Sequence, residues 1–309
     1  MKNLEIEKKK AKKEFLFLAI AIIVYEFLFQ VVVLGVDFME MTVLLLGFRE
    51  IQWEQAADLV YNSGIALSIA SVIGFLTVGL ILQQMPSFQK KEKITLKTML
   101  VFYILMQGLQ LLGNYILLPM ALLAENMGYS FEEAADMASG SSVLFSAFIY
   151  SVIVAPIAEE ILCRGIVMQY LEKYGKHFAV LITAFLFGLL HQNIVQFPIT
   201  MMIGILFGYL AQRYSLTAAI VLHVLNNLSV EITGWLGEKF SIVWTLDTIF
   251  LFFCAFASFF LLWKKRKTIS IFFKQKNDLP VVRWFFTTPL MLLVIAYFLF
   301  FTIKSATLI

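Results

Sequence analysis

Long apolar runs separated by lysine clusters constrain this chain more than any other feature. A bilayer crossing needs about 20 mostly apolar residues. At that length the sequence offers about nine candidates: Phe15–Gly35, Gly64–Gln84, Thr98–Leu123, Ser142–Tyr170, Phe178–His191, Val195–Ala211, Leu216–Trp235, Ile242–Trp263 and Trp284–Ile303. The fifth and sixth are short. With 61% hydrophobic and 15% charged residues, a water-soluble domain of this size has no way to hide its apolar surface, because soluble domains run near half apolar and about a quarter charged. The solvent for most side chains is lipid. The expected fold class is all-α, a polytopic transmembrane helical bundle of about nine spans, with 1–309 forming a single integral membrane domain.

Charge orients the segments. The N-terminus, residues 1–14, carries Lys8, Lys9, Lys10, Lys12 and Lys13; the second loop has Lys90, Lys91, Lys93 and Lys97. Lys173 and Lys176, then Arg213, then Lys264, Lys265, Arg266 and Lys267 mark later alternate loops, while Glu125, Glu132, Glu133 and Asp136 lie between. Basic loops face the cytoplasm, so nine spans with a cytoplasmic N-terminus place every basic loop inside, and a bacterial cell membrane is the expected location. The run after Lys13 is too long for a signal-peptide core and no small-residue cleavage site follows, so it reads as a signal anchor. A net charge of +3 is too small to suggest nucleic acid. Cys163 and Cys254 have no disulfide or metal spacing.

Some segments do more than connect. Asp37–Asn62, with Trp53 and Glu54, suggests an interfacial helix. Gly204-Ile-Leu-Phe-Gly208 has the small-xxx-small spacing of closely packed helices. Gln107, Gln110 and Asn114 form a stripe expected to face the bundle interior, and Glu26 stands in the first span; interhelical hydrogen bonding is the expected role of all four. No repeat stands out.

Ionisable groups at mid-bilayer cost roughly 2.5–3.5 kcal/mol each on insertion scales, so their clustering is informative. The fourth segment holds Glu159, Glu160 and Arg164 within six positions. Glu160 and Arg164 are at i and i+4 with the acid first, the favoured order for an ion pair. Glu159 is rotated by about 100° and faces elsewhere. An unpaired carboxylate in an apolar site suits a general base. The competing reading is a helix end reaching water with all three charges solvated.

Of three histidines, His177 falls in an expected loop and receives no role. His191 closes Phe185–His191, with Phe187 one turn back, placed to pack on the ring or hold its rotamer. His223 has Asn227 at i+4 and Glu231 one turn further, with Asn226 competing for the role of Asn227. The site is expected between the fourth, fifth and seventh helices, open toward the cytoplasmic half, with Glu159 in direct or one-water reach of His191.

Glu159-Glu160-x-x-x-Arg164, Phe187-x-x-x-His191 and His223-x-x-x-Asn227 resemble, in order and placement, the three motifs of the CPBP family, the CAAX-protease and bacteriocin-processing (Abi) membrane proteases. The resemblance covers roughly Ser142–Trp235, a catalytic core of residues 142–235. It implies an intramembrane endopeptidase in which Glu159 and His191 activate water, His223 and Asn227 donate to the oxyanion, and Glu160 and Arg164 support the site. Glu159, His191 and His223 also suit a zinc centre, and a metal-free glutamate mechanism suits the same residues; donation by His223 to the oxyanion excludes its ligation of zinc.

The partners expected are the lipid bilayer and a membrane peptide or protein substrate. That substrate is a prenylated C-terminus, a bacteriocin or pheromone precursor, or another membrane peptide; the Lys-, Phe- and Ile-rich composition points to a bacterial peptide precursor or an immunity role. A non-catalytic regulator or bacteriocin-immunity protein acting by binding is the second class, and a transporter the third. The oligomeric state has no signature in the sequence.

Overall fold

Helix α1 (Lys2–Gly47) is the longest element among the described residues. Its 46 residues reach about 69 Å at 1.5 Å per residue, more than twice the hydrocarbon thickness of about 30 Å. The expected interfacial helix over Asp37–Asn62 is therefore divided: its first part continues α1, and only α2 (Trp53–Tyr61) is a separate short helix, burying Ala56 and Val60. The chain is described here by a computed structural model, covering residues 2–48, 50–138, 142, 144–274 and 279–308.

The elements that follow are α3 (Ile65–Leu82), α4 (Leu96–Asn126), α5 (Glu132–Ala138), α6 (Phe145–Tyr174), α7 (Lys176–Leu190), α8 (Gln196–Arg213), α9 (Leu216–Lys239), α10 (Ile242–Lys274), α11 (Leu279–Phe286) and α12 (Pro289–Lys304). Among the described residues the fold is all-α but for one antiparallel pairing of β1 (Tyr129–Ser130) with β2 (Thr307–Leu308), which ties the segment after α12 to the loop after α4. Among the described residues six helices are long and apolar enough to cross a membrane, or seven if the pair Pro280–Phe286 and Pro289–Lys304, bent by 69°, is one span. The expected count of nine includes α7 and α8, which form a hairpin of only 15 and 18 residues.

Helices α6 to α9 form the centre, with α1 and α3 packed on one flank and α4 and α10 on the other. Gly204 and Gly208 bring α8 onto α7: a Cβ at Gly204 would lie 3.1 Å from Ala184 Cα, and one at Gly208 3.0 Å from Val180 Cγ1. Gly175, at φ +131°, makes the turn between α6 and α7, a conformation open to glycine and strained for side chains. His177 lies in the first turn of α7, not in a loop.

Basic segments gather at one end of this bundle. Lys173 pairs with Glu14, Lys12 donates to the Thr287 carbonyl, Lys91 N–H to the Tyr214 carbonyl, and Arg213 pairs with Glu92. The polar stripe of α4 is only partly internal. Gln107 is buried and Gln110 donates to Asn226 of α9, whereas Asn114, two turns beyond Gln107 on the same face, is exposed.

Candidate active site

Helix α6 is not uniformly α-helical. Ala155–Glu160 is α, between π-helical turns at Tyr150–Val154 and Ile161–Val167. Such wide turns occur frequently at functional sites. Pro156 accounts for the first, since its ring carries no N–H and crowds the carbonyl four residues back, at Val152. The Ala155 N–H bonds the Tyr150 carbonyl, five residues back. In that register the Ser151 carbonyl would accept from residue 156, which has no proton to give. Asn227 Nδ2 fills the gap, donating to the Ser151 carbonyl at 2.8 Å.

This bond adds a structural role to the one expected for Asn227. One of its two amide N–H groups is given to the backbone of α6, and neither Asn227 nor His223 is among the residues lining the cavity described below. Glu231, one turn on, accepts from Ser151 Oγ, Ser142 Oγ and the Ser142 N–H. Asn226 instead faces α4 through Gln110. His223, Asn227 and Glu231 thus make a seam along α9 that fastens α6 at successive turns.

The two glutamates occupy different surroundings, as their rotation requires. Glu160 is fully buried; its Oε1 accepts from Arg164 Nη1 at 2.8 Å and from His223 Nδ1 at 3.0 Å, and its Oε2 is buried without a hydrogen-bond partner among the described residues. Arg164, 1% exposed, also donates to the Gly204 carbonyl at 3.3 Å. Its guanidinium lies 4.2 Å from the centroid of the Phe187 ring and 5.5 Å from that of Phe207, within the range of cation–π attraction. The reading in which these charges are solvated at a helix end is excluded for Glu160 and Arg164. Glu159 is the outward one, its side chain 35% exposed.

Glu159 and His191 line the same cavity, of about 190 Å³, together with Tyr25, Glu26, Gln30, Ser71, Tyr150 and Gln192. His191 closes α7, and its Nδ1 lies 2.8 Å from the Phe187 carbonyl. A carbonyl only accepts, so Nδ1 carries the proton and Nε2 offers a lone pair. The rings of Phe187 and His191 meet edge to face at 4.8 Å. His223, buried against Phe207, places Nε2 3.8 Å from Glu159 Oε2. With Nδ1 donated to Glu160, His223 can give a second hydrogen bond from Nε2 only as an imidazolium.

Glu159 sits midway along Phe145–Tyr174, not near its basic end. It lies sixteen residues before Gly175, and His191 sixteen after. Both are thus set off from the turn by equal numbers of residues, on the order of 24 Å of α-helix. Among the described residues no three of His, Cys, Asp and Glu converge as metal ligands. The donor set does not fit a tetrahedral zinc centre, whose ligands all lie about 2.0–2.3 Å from one ion.

Sequence reasoning leaves Tyr25, Tyr150, Ser71 and Gln192 unassigned, and gives Glu26 only a hydrogen-bonding role. Glu26 does make that bond, accepting from Gln192 Nε2 at 3.0 Å, but it also lines the cavity. Its signal was a lone carboxylate in an apolar span. Residues 141–229, which contain the three motifs, match the family model described as type II CAAX prenyl endopeptidase Rce1-like. No curated protein and no solved structure matches the chain.

Proposed function

We propose, from the premise that residues 141–229 belong to the Rce1-like CAAX endopeptidases, that this integral membrane protein hydrolyses a peptide bond of a membrane-associated peptide or protein, with Glu159 and His191 activating the water. The observation that carries this reading is the shared cavity. Two groups able to take a proton reach it from the two arms of one helical hairpin, and the Phe187 carbonyl fixes the tautomer of one of them.

In the proposed reaction the water gives a proton to the Glu159–His191 pair as its oxygen bonds the carbonyl carbon. The C=O electrons move to oxygen, and the oxyanion is met by the imidazolium Nε2–H of His223. Collapse breaks the C–N bond, and the stored proton passes to the departing amine. Arg164 and Glu160 hold His223 in place, and Asn227 holds the backbone that carries Glu159. A bacterial cell membrane with the basic end of the bundle in the cytoplasm is the setting that the charge rule favours. A peptide precursor of the bacteriocin or pheromone kind is the substrate class proposed.

The test compares wild type with Glu159→Gln in native membranes by mass spectrometry of membrane and secreted peptides. Peptides whose processing stops in the variant, at equal protein level, support the protease and name its substrates. An unchanged peptide pool with the cellular phenotype retained refutes it in favour of a non-catalytic regulator or immunity protein.

A further inference from the structure

The cavity has a second carboxylate that the hydrolytic scheme does not use. Tyr25, Glu26, Phe29 and Gln30 supply its α1 wall, and Glu26 lies inside the apolar stretch of α1. An ionisable residue at such a place is costly and calls for a function. Its hydrogen-bond partner, Gln192, is neutral, so the contact orients the carboxylate without cancelling its charge.

Gln192 is held at φ +48° directly after His191, in the left-handed region that non-glycine residues enter at a cost. Its side chain is fastened across to α1, beside the groups assigned to water activation. The lining residues include two carboxylates, Glu26 and Glu159, and neither lysine nor arginine. The cavity, at about 190 Å³, has room for a side chain or for about six waters at roughly 30 Å³ each.

We infer that Glu26 receives a basic side chain of the substrate, so that this protein selects lysine or arginine at one position near the scissile bond. The inference rests on the peptidase reading and adds its specificity. Glu159 has to remain free to take a proton. Glu26, oriented by a neutral amide on the α1 wall, is the carboxylate left to meet a cation. The substrate's ammonium or guanidinium supplies the countercharge that the cavity lacks.

The experiment uses the full chain in liposomes and a peptide library prepared by cleavage after glutamate, which keeps lysine and arginine internal. Cleavage sites are mapped by mass spectrometry for wild type, Glu26→Gln, Glu26→Lys and Glu159→Gln, with melting temperatures confirming that each is folded. Wild type should enrich lysine and arginine at one fixed position. In Glu26→Gln, which keeps an oxygen for Gln192, the ratio of basic to neutral residues there should fall about tenfold, as loss of about 1.4 kcal/mol of discrimination implies. Glu26→Lys should turn the preference toward aspartate, the acidic residue this library keeps internal. A cleaving wild type whose profile is the same in Glu26→Gln overturns the subsite alone. So does a uniform fall in cleavage rate with the ratio intact, which would make Glu26 a proton carrier. A wild type that cleaves no more than Glu159→Gln overturns the peptidase reading and the subsite together.

Discussion

His191 donates a hydrogen bond from its Nδ1–H to the carbonyl of Phe187, one helical turn back, across 2.8 Å. The bond is internal to the end of α7, so the ring keeps its tautomer whatever occupies the cavity. The Phe187 ring, meanwhile, contacts both the imidazole and the Arg164 guanidinium. His191→Gln removes the Nε2 base. Cleavage should fall by about 10²–10⁴-fold, the usual contribution of a positioned acid–base group, with the melting temperature in detergent little changed. A variant retaining more than a tenth of the wild-type rate would remove His191 from the chemistry.

Glu159 and Glu160 should separate cleanly by mutation. Glu159→Gln alters a partly exposed side chain on the cavity and is expected to abolish turnover with a stability change within about 0.5 kcal/mol. Glu160→Ala strands the Arg164 charge, buried at 1% exposure, and should destabilise by about 3–5 kcal/mol. Thermal melting of the two purified variants checks this; equal melting temperatures would contradict the assignment.

Asn227 and Pro156 are expected to be coupled. Asn227→Ala leaves the Ser151 carbonyl without its donor and should cost about 1–3 kcal/mol. Pro156→Ala restores a backbone N–H to that register, so the same Asn227 substitution in a Pro156→Ala background should cost clearly less. The double-mutant cycle reads the difference directly. Additive losses, with Asn227→Ala lowering turnover alone, would restore Asn227 to the oxyanion.

Gly204→Ala should be destabilising by about 1–3 kcal/mol through overpacking. Its Cβ would meet Ala184 Cα at 3.1 Å and Arg164 Nη2 at 3.2 Å, closer than ordinary van der Waals contact to both α7 and the ion pair. Gly35→Ala in α1, where nothing lies within 4 Å, is the control and should be neutral or slightly stabilising, since alanine favours helix. Melting curves of both variants suffice.

The sequence alone distinguishes Glu159 from Glu160, because a rotation of about 100° per residue and an i, i+4 partner are properties of one helix. The role of Glu26 is hidden from such reasoning. It depends on α1 reaching the turn after α7 and on Gln192 adopting a left-handed backbone, both products of tertiary packing. Asn227 shows a middle case. Its i+4 relation to His223 marks it as important, yet its partner is a carbonyl orphaned by a proline on another helix. Only the wide turn at Tyr150–Val154, which no hydrophobic period reveals, discloses that. The uneven span lengths were visible, as α7 and α8 are short in both descriptions, whereas the continuity of α1 through Asp37–Gly47 was masked by its polar residues.

The turn at Gly175 works as a common datum for the chemistry. Glu159 and His191 are measured off from it along two arms, so adding one residue to either arm lifts one group by about 1.5 Å and swings it by about 100° while its counterpart stays put. Loops elsewhere can lengthen without moving either group. Between Glu159 and His191 the chain is a calibrated length, and a single-residue insertion there should be as damaging as the loss of a catalytic side chain.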